Sequence, residues 1–574
     1  MSARSSACLL WAIALVAMTG TAYGRARDGA CAQIMRACKA AGFEQGAAKS
    51  GNGLKVDCLD PIMNGTPQPR HASRPLPHVD AGLAAACRTQ GLENQAPITE
   101  RAPVIVPPSR PAPPGSPNIV FVLTDDLSMN LLQFMPHVQR MQKEGMTFAN
   151  YFVTDSLCCP SRTSIFTGRF PHDSGVFKNT GEDGGYAGFI NHGNEGLTFA
   201  VALASGGYKT AMLGKYLNGY EPPKHPVGAG WGYWAVGGST GYAQFNYNLS
   251  EDGKVVRYGY DPADYLTDIV SEHGVKFIQR EAGKPFFIEI ATYAPHAPYI
   301  PAPRDADAFP GLRAPRGPAF DAMPERDTPP WLARMAPLSD DDKAKIDRAF
   351  RMRAQSVLSV DKMIGDLQAA LARTGQDRNT YFVFSSDNGY HMGEYRLMPG
   401  KMTAFDTDIH VPLIITGPGV PAGRVVNEIV ENIDLCSTFS ELAGAAPPRT
   451  VDGHSLVPLL HGQPVTEWRS AALIEHHGPH EDPNDPDAPE PRSGNPPSYE
   501  AIRMPDAVYV EYDDGTKEYH DLATDPDELH NSYASLPPAR KASLRQAVEA
   551  MRDCHDAARC WAASSPMRTA SGVK

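Results

Sequence analysis

Three short, largely apolar runs, each followed by polar side chains, constrain the fold of this chain most strongly. They span residues 119–123, 286–291 and 380–384. None alternates regularly between apolar and polar residues, so each is predicted to be a strand buried on both faces of a helix-covered sheet. The stretch from 341 to 373 has apolar residues at steps of three and four, which predicts a long covering helix. The sequence therefore predicts an α/β fold with a central sheet covered by helices.

The polar clusters behind these predicted strands carry groups that can bind a ligand. Asp125 and Asp126 follow the first run, Asp387 and Asn388 follow the third, and His296 follows the second. Sheets of this class bind ligands at the carboxyl ends of their strands. Each cluster alone is also typical of a polar turn or a helix start, and a single histidine is most often structural. Together, the four oxygen-bearing side chains predict a hard-cation site for Ca²⁺, with Mg²⁺ as the alternative.

A cysteine-containing segment lies at 157–168. Cys158 is predicted to begin a helix, where free backbone N–H groups and the helix dipole favour an anion. Arg162 would lie one turn further along and could reach the same anion. Lys215, after another predicted strand, and Lys401, after the third polar cluster, supply further cations. The alternative interpretation of the segment is a buried cysteine pair that begins an ordinary helix.

The same segment resembles the signature of the type I sulfatases, Cys-x-Pro-Ser-Arg followed by Thr-Gly. The matching residues are Cys158, Pro160, Ser161, Arg162, Thr167 and Gly168. The resemblance implies an alkaline-phosphatase-like α/β fold, with a mixed central sheet sandwiched by helices. It also implies a sulfatase in which Cys158 is converted after synthesis to formylglycine (3-oxoalanine), the nucleophile. It also implies a metal site formed by Asp125, Asp126, Asp387, Asn388 and Cys158.

The resemblance further assigns roles to the cations and histidines. Lys215 and Lys401 would hold sulfate oxygens, and Arg162 would belong to the same catalytic set. His296, with His391 as a second candidate, would protonate the departing alcohol. Many sulfatases carry a histidine shortly after the lysine that Lys215 matches, and this chain lacks it. Asn218 is the polar residue predicted to replace that histidine.

The substrate is suggested by the stretch 214–218, which resembles the branch of N-acetylglucosamine-6-sulfatases and extracellular heparan 6-O-endosulfatases. A sulfated saccharide with 6-O-sulfated glucosamine is therefore predicted, or a small sulfate ester, with a formylglycine-generating enzyme as maturation partner. The alternatives are an arylsulfatase, a phosphonate or phosphate monoester hydrolase of the same superfamily, and a non-catalytic glycan-binding protein. The net charge of −12 predicts no nucleic-acid partner.

Composition divides the chain into five parts. Residues 1–24 are typical of a secretory signal peptide, whose apolar core is too short to span a membrane. Residues 25–95 form a small Cys-rich segment and 96–117 a proline-rich linker. Residues 118–465 are the predicted catalytic domain and 466–574 a smaller C-terminal subdomain with an antiparallel sheet. The protein is expected to be exported, periplasmic or secreted (lysosomal or extracellular in a eukaryote), without stable membrane insertion.

Cysteine usage agrees with export, because oxidising compartments favour disulfides. Cys31, Cys38, Cys58 and Cys87 lie in the Cys-rich segment, and the sequence does not choose among their three possible pairings. The last two of the ten cysteines, at 554 and 560, are predicted to close a small loop.

Overall fold

The structure is a computed structural model that describes residues 30–43, 54–59, 61–62, 67–68, 72–85, 111–324, 327–480, 485 and 487–565. Among these residues, ten strands form one mixed sheet and four strands form a second, antiparallel sheet. The mixed α/β fold expected from the sequence is confirmed. Residues 1–29 and 86–110 lie outside the described residues, so the signal peptide and most of the linker stay predictions.

The large sheet contains β1 (Asn118–Thr124), β2 (Met146–Phe152), β3 (Lys209–Lys215), β4 (Tyr233–Gly237), β5 (Asn248–Glu251), β6 (Lys254–Arg257), β7 (Phe286–Ala291), β8 (Thr380–Ser386), β9 (Leu413–Thr416) and β10 (Arg424–Glu431). Their order is β10-β2-β9-β8-β1-β7-β3-β4-β5-β6. The central strands β8, β1, β7, β3 and β4 are parallel neighbours. Because β9 pairs antiparallel with both β8 and β2, β2 runs in the direction of β1. The chain therefore leaves β1, β2, β3, β7 and β8 at the same side of the sheet, which is the carboxyl end of the central strands.

The described α-helices are α1 (Ala30–Ala40), α2 (Pro136–Glu144), α3 (Cys158–Thr167), α4 (Pro171–Ser174), α5 (Gly185–Asn191), α6 (Phe199–Ser205), α7 (Leu266–Arg280), α8 (Pro330–Ala333), α9 (Asp340–Arg373), α10 (Asp406–Ile409), α11 (Asp434–Leu442), α12 (Val457–Leu460), α13 (Pro538–Arg552) and α14 (Ala557–Ser564). None of them is both long enough and apolar enough to cross a membrane. The long helix α9 begins with a capping box, in which the Ser339 hydroxyl accepts the Asp342 N–H and the Asp342 carboxylate accepts the Ser339 N–H.

Helices cover both faces of the large sheet. Val120 and Val122 of β1 belong to the apolar cluster that contains the buried residues of α7 and α9. Phe121, from the opposite face of the same strand, packs in the cluster that includes α3, α6 and α11. All seven residues of β1 are buried, as the continuous apolar run predicts. The central strand is thus held between two helix layers, and its end is fixed in position.

The second sheet contains β11 (Ala472–His476), β12 (Tyr499–Met504), β13 (Ala507–Tyr512) and β14 (Lys517–Asp521), paired in that order. Its apolar face packs against α13, where Leu473 and Tyr509 share a buried cluster with Leu544 and Val548. The predicted C-terminal antiparallel sheet is confirmed. Sequence analysis did not anticipate β12, or β4–β6 and β10 of the large sheet. The edge strand β6 is largely exposed and carries no continuous apolar run that would mark it.

Two disulfides lie among the described residues. Cys554 pairs with Cys560, as the sequence predicts, and Cys38 pairs with Cys58 in the Cys-rich segment. The side chain of Cys31 and the whole of Cys87 lie outside the described residues. Cys159 and Cys436 are buried free thiols within the main apolar cluster.

A buried ion-pair cluster joins the large sheet to the second one. Arg469 contacts Glu431 at the end of β10, and its Nη2 lies 2.6 Å from Asp434 Oδ1 at the start of α11. Glu431 Oε1 also accepts the N–H of Leu473 in β11 at 2.8 Å. One arginine therefore contacts two buried carboxyl groups at the junction between the sheets, and burial raises the pKa of Glu431 to about 8.

We expect Arg469→Ala to lower the free energy of unfolding by about 3–5 kcal/mol, because it removes the cation that contacts the buried carboxyl groups of Asp434 and Glu431. Urea unfolding followed by circular dichroism measures this loss. The matched control is Arg545→Ala, which removes an exposed pair with Glu549 on α13 and should leave the unfolding midpoint close to that of the wild type. Equal losses in the two variants would contradict the role given to Arg469.

Candidate active site

The parallel pairing of β1 and β8 places four predicted metal ligands side by side. Thr124 and Ser386 are partners at the ends of the two strands. Directly beyond them, the Asp126 N–H donates to Asp387 Oδ1 at 3.1 Å, and Asn388 Nδ2 donates to Asp126 Oδ1 at 2.7 Å. Because the two strand ends are aligned, Asp126 contacts Asp387 and Asn388. These two residues follow Asp126 in the chain by 261 and 262 positions.

Asp126 is held in an unusual backbone conformation, with φ of 62°. The buried Arg353 of α9 fixes this turn, because its Nη2 donates to the Asp126 carbonyl at 2.5 Å. The guanidinium also lies 4.2 Å from the ring centre of Tyr390. Sequence reasoning missed Arg353, since an arginine within an amphipathic helix is most simply read as solvent-facing.

Cys158 begins α3 and lies beside these carboxylates. Its Sγ is 3.3 Å from Asp125 Oδ1 and 2.8 Å from Lys401 Nζ. Burial and the neighbouring Asp125 carboxylate raise the pKa of the Cys158 thiol well above its usual value. The next N–H of the helix, that of Cys159, donates to Asn179 Oδ1 at 2.9 Å. Asn179 therefore fixes the first turn that presents Cys158.

Arg162 and Lys215 neutralise the carboxylates from one side. Arg162 Nε lies 2.8 Å from Asp387 Oδ2, and its Nη1 donates to the Lys215 carbonyl at 2.9 Å. Lys215 Nζ lies 2.6 Å from Asp125 Oδ2. Although burial alone would raise the pKa of Asp125, the cations led by Lys215 hold it below its usual value. Burial and Asp125 together raise the pKa of Asp387 to about 6.

Lys401 lies on the other side, 2.7 Å from Asp126 Oδ1. Its turn is held by Asp408, whose Oδ2 accepts from Thr403 Oγ1 at 2.6 Å and lies 2.9 Å from His391 Nδ1. The second ring nitrogen of His391 lies 2.9 Å from the carbonyl of Ser493. The structure thus engages both ring nitrogens of His391 away from Cys158, in a position that supports the Lys401 turn.

His296 does reach the site, and it meets a carboxylate that the sequence analysis did not single out. Its Nε2 lies 2.6 Å from Asp487 Oδ1 and 3.5 Å from Asp126 Oδ2. Its Nδ1 lies 2.7 Å from the Ala297 carbonyl, so this nitrogen donates and Nε2 faces the site. Burial lowers the pKa of His296, but Asp487 and Asp126 raise it more, so that the net shift is upward. The geometry therefore favours a protonated His296.

The residue predicted to replace the missing histidine lies at the rim of this cluster. Asn218 Nδ2 donates to the Tyr242 hydroxyl at 3.3 Å. The Tyr242 ring is centred 4.9 Å from Lys215 Nζ and 4.5 Å from the His296 ring. Asn218 is thus linked to Lys215 and His296 through Tyr242, which no sequence pattern indicated.

Several side chains of this cluster lie close enough together to hold a metal ion. Side-chain atoms of Asp125, Asp126, Cys158 and His296 lie within 4.8 Å of one another. Among the described residues, the buried Asp126 Oδ2 and Asn388 Oδ1 accept no hydrogen bond. Buried oxygens of this kind are normally satisfied, and carboxylate and amide oxygens are the ligands of hard cations. The residues present therefore fit a Ca²⁺- or Mg²⁺-type site.

Comparisons with known proteins agree with this geometry. The sulfatase family profile matches residues 117–445, and the profile described as N-sulphoglucosamine sulphohydrolase, C-terminal, matches 393–553. The human N-acetylglucosamine-6-sulfatase is 34% identical over 472 residues, covering 76% of this chain and 85% of its own length. This chain therefore belongs to the sulfatase family and is a sulfuric ester hydrolase.

Solved structures share the fold. A protein in complex with its substrate D-glucosamine-2-N,6-O-disulfate superposes with a TM-score of 0.63 at 24% identity, covering 76% of this chain and 97% of its own. A phosphonate monoester hydrolase from Silicibacter pomeroyi has a TM-score of 0.57 at 22% identity, with 76% and 94% covered. The likeness to both confirms the fold and does not by itself separate the two activities.

Asn179 provides a test of how the site is held. We expect Asn179→Ala to lower the free energy of unfolding by about 1–3 kcal/mol, because it leaves the buried Cys159 N–H without an acceptor. The midpoint of urea unfolding measures this loss. Asn191→Ala, at an exposed end of α5, is the control and should change stability by about 0.5 kcal/mol or less. A loss no greater than that of the control would contradict the capping role.

Proposed function

We propose that this sulfatase removes the 6-O-sulfate of a glucosamine-type sugar, using formylglycine at position 158 and a bound Ca²⁺. The observation that carries the proposal is the position of Cys158 between an oxygen-rich metal-type site and Lys401. The printed activities of the human relative and of the protein solved with a disulfated glucosamine support the substrate class.

Two groups would supply chemistry that the encoded side chains lack. Hydrated formylglycine would offer a hydroxyl to attack sulfur and a second hydroxyl to expel the bound sulfate by carbon–oxygen cleavage. A Ca²⁺ held by Asp125, Asp126, Asp387 and Asn388 would polarise sulfate oxygens and lower the pKa of the attacking hydroxyl. A formylglycine-generating enzyme would act before the buried position 158 is enclosed by folding.

The encoded cations would bind and orient the sulfate group. Lys401, at 2.8 Å from Cys158 Sγ, is placed to hold an oxygen of a sulfate attached to that position. Lys215 lies on the opposite side against Asp125 and would neutralise charge there as sulfur is attacked. Arg162 is fully buried on Asp387, so we assign it to holding the metal-ligand carboxylates rather than to contacting the sugar.

His296 would donate the proton to the departing alcohol. Its Nε2 faces the site, while Nδ1 lies 2.7 Å from the Ala297 carbonyl, so the charged ring would carry its transferable proton on Nε2. The nearby carboxylates favour the protonated form, which is the form that a general acid requires. We assign His391 to supporting the Lys401 turn, because its ring nitrogens are engaged by Asp408 and Ser493.

Export, the predicted division into 118–465 and 466–574, and maturation by a partner enzyme belong to the same proposal. The N-terminal apolar run of the sequence supports export, and the two separate sheets support the division.

The formylglycine mechanism makes a specific prediction for Cys158→Ser. A serine has one hydroxyl, so after accepting sulfate it holds a stable ester and catalytic turnover stops. We expect intact-mass spectrometry to show at most one added sulfo group per chain and no continuing release of sulfate. In the wild type, the peptide with residue 158 should carry the aldehyde.

The neighbouring Cys159→Ser is the matched control for that substitution, since Cys159 packs in the apolar core, and it should still release many equivalents of sulfate. Repeated turnover by purified Cys158→Ser would refute the mechanism, as would a plain thiol at position 158 of active enzyme.

The metal assignment predicts stabilisation by Ca²⁺. A ligand that binds only the folded protein at 100 times its Kd adds about 2.7 kcal/mol, so Tm should rise in calcium and fall after chelation. Asp126→Asn should remove most of the shift, whereas Asp553→Asn, an exposed residue on the far C-terminal side, should keep it. Calorimetry gives the shifts, and an unchanged Tm in the wild type would argue against a calcium site.

The substrate class is tested by comparing kcat/KM for N-acetylglucosamine 6-sulfate, an aryl sulfate and an aryl phosphate. We expect the sugar sulfate to be preferred by at least about tenfold over both. A preference for the aryl phosphate would support the phosphonate or phosphate monoester hydrolase alternative instead.

A further inference from the structure

Asp487 contacts the groups that the proposed function assigns to the substrate. Its Oδ1 lies 2.6 Å from His296 Nε2, and its Oδ2 lies 3.2 Å from Lys401 Nζ and 3.4 Å from Cys158 Sγ. We propose that the Asp487 carboxylate occupies the sulfate subsite as an internal competing anion, which a sulfate ester must displace in order to bind. This inference rests on the proposed function, because that function defines the subsite.

The contact pattern of Asp487 matches what a sulfate ester would require. The leaving oxygen of the ester must meet the proton donor, His296, while another oxygen must meet Lys401 close to residue 158. The two oxygens of the Asp487 carboxylate make these two contacts at the same time. Asn179 Nδ2 adds a neutral hydrogen bond to Oδ2 at 3.3 Å, so the carboxylate is held by donors on three sides.

Asp487 and a sulfate group cannot bind at this place together. A separation of 3.4 Å between Oδ2 and Cys158 Sγ is direct contact and leaves no room for a sulfur atom with its oxygens. The side chain is almost fully buried, so a sulfate beside it would face a like charge with little screening by water. Binding of the substrate therefore requires the Asp487 side chain to leave.

The position of Asp487 in the chain allows its side chain to move out of the subsite. The predicted metal ligands directly follow the strands β1 and β8, and Cys158 begins the helix α3. Asp487 lies in the irregular connection between β11 and β12, and its own N–H is bound locally, by Asp485 Oδ1 at 2.9 Å. A side chain on such a connection can move without breaking strand pairing.

The test measures binding of inorganic sulfate to the full-length enzyme by isothermal titration calorimetry. We expect Asp487→Ala to lower the Kd for sulfate by about tenfold or more, which corresponds to about 1.4 kcal/mol. Asp487→Asn, which keeps the shape and loses the charge, should shift the Kd in the same direction by a smaller factor. If Asp487→Ala does not fold, the Asn variant alone decides the question.

The matched control is Asp485→Asn in the same connection, which removes a second buried carboxylate, near His480, and keeps the Oδ1 acceptor for the Asp487 N–H. It should keep the wild-type Kd for sulfate. An unchanged or weaker sulfate affinity in a folded Asp487 variant would overturn the inference and assign Asp487 to positioning His296. Sulfate binding needs no turnover, so failure of this test is distinct from failure of the wild type to hydrolyse sulfate esters, which would refute the proposed function.

Discussion

The site depends on carboxylates and cations that offset each other's charge, buried at the carboxyl end of the central strands. The carboxylates of Asp125, Asp126 and Asp387 lie within a few ångströms of one another, where water cannot screen their repulsion. Arg162 offsets this repulsion at Asp387, Lys215 does so at Asp125, and Lys401 does so at Asp126. The same balance explains why the groups fit both a cation and an anionic substrate. The carboxylates can hold a divalent cation, and the lysines can bind an anion.

The parallel sheet is what makes this concentration of charge possible. Five connections, after β1, β2, β3, β7 and β8, leave the sheet at the carboxyl end of its central strands, and each delivers at least one of the site residues. The strands are buried between two helix layers, so the ends are fixed to within the tolerance of core packing. The helix that begins at Cys158 starts at the same end of the sheet, and its Cys159 N–H is bound by Asn179 Oδ1.

Sequence reasoning predicted the residues at strand ends and missed those that arrive by other routes. Asp126 and His296 could be placed because each follows an apolar run with a recognisable end. Asp487 could not, since it follows no strand and lies 329 positions from Cys158 in an irregular connection. Arg353 was missed because nothing in an amphipathic helix shows which polar residue turns inward to hold Asp126. His391 follows a strand end as the pattern requires, yet its ring is drawn to Asp408, a contact that no local pattern encodes.

The sequence by itself determined the α/β class, the covering helix α9, the C-terminal hairpin, the Cys554–Cys560 pairing and the chemistry of the strand-end residues. These are consequences of local periodicity, short-range spacing and side-chain type. The tertiary structure decided how those side chains are paired, because a charge finds its partner through space and not along the chain. It placed Arg353 under Asp126, Tyr242 between Lys215 and His296, and Asp487 against the atoms proposed to hold sulfate. Such contacts join distant segments whose separation is set by the packing of the whole sheet, and no stretch of sequence contains that distance.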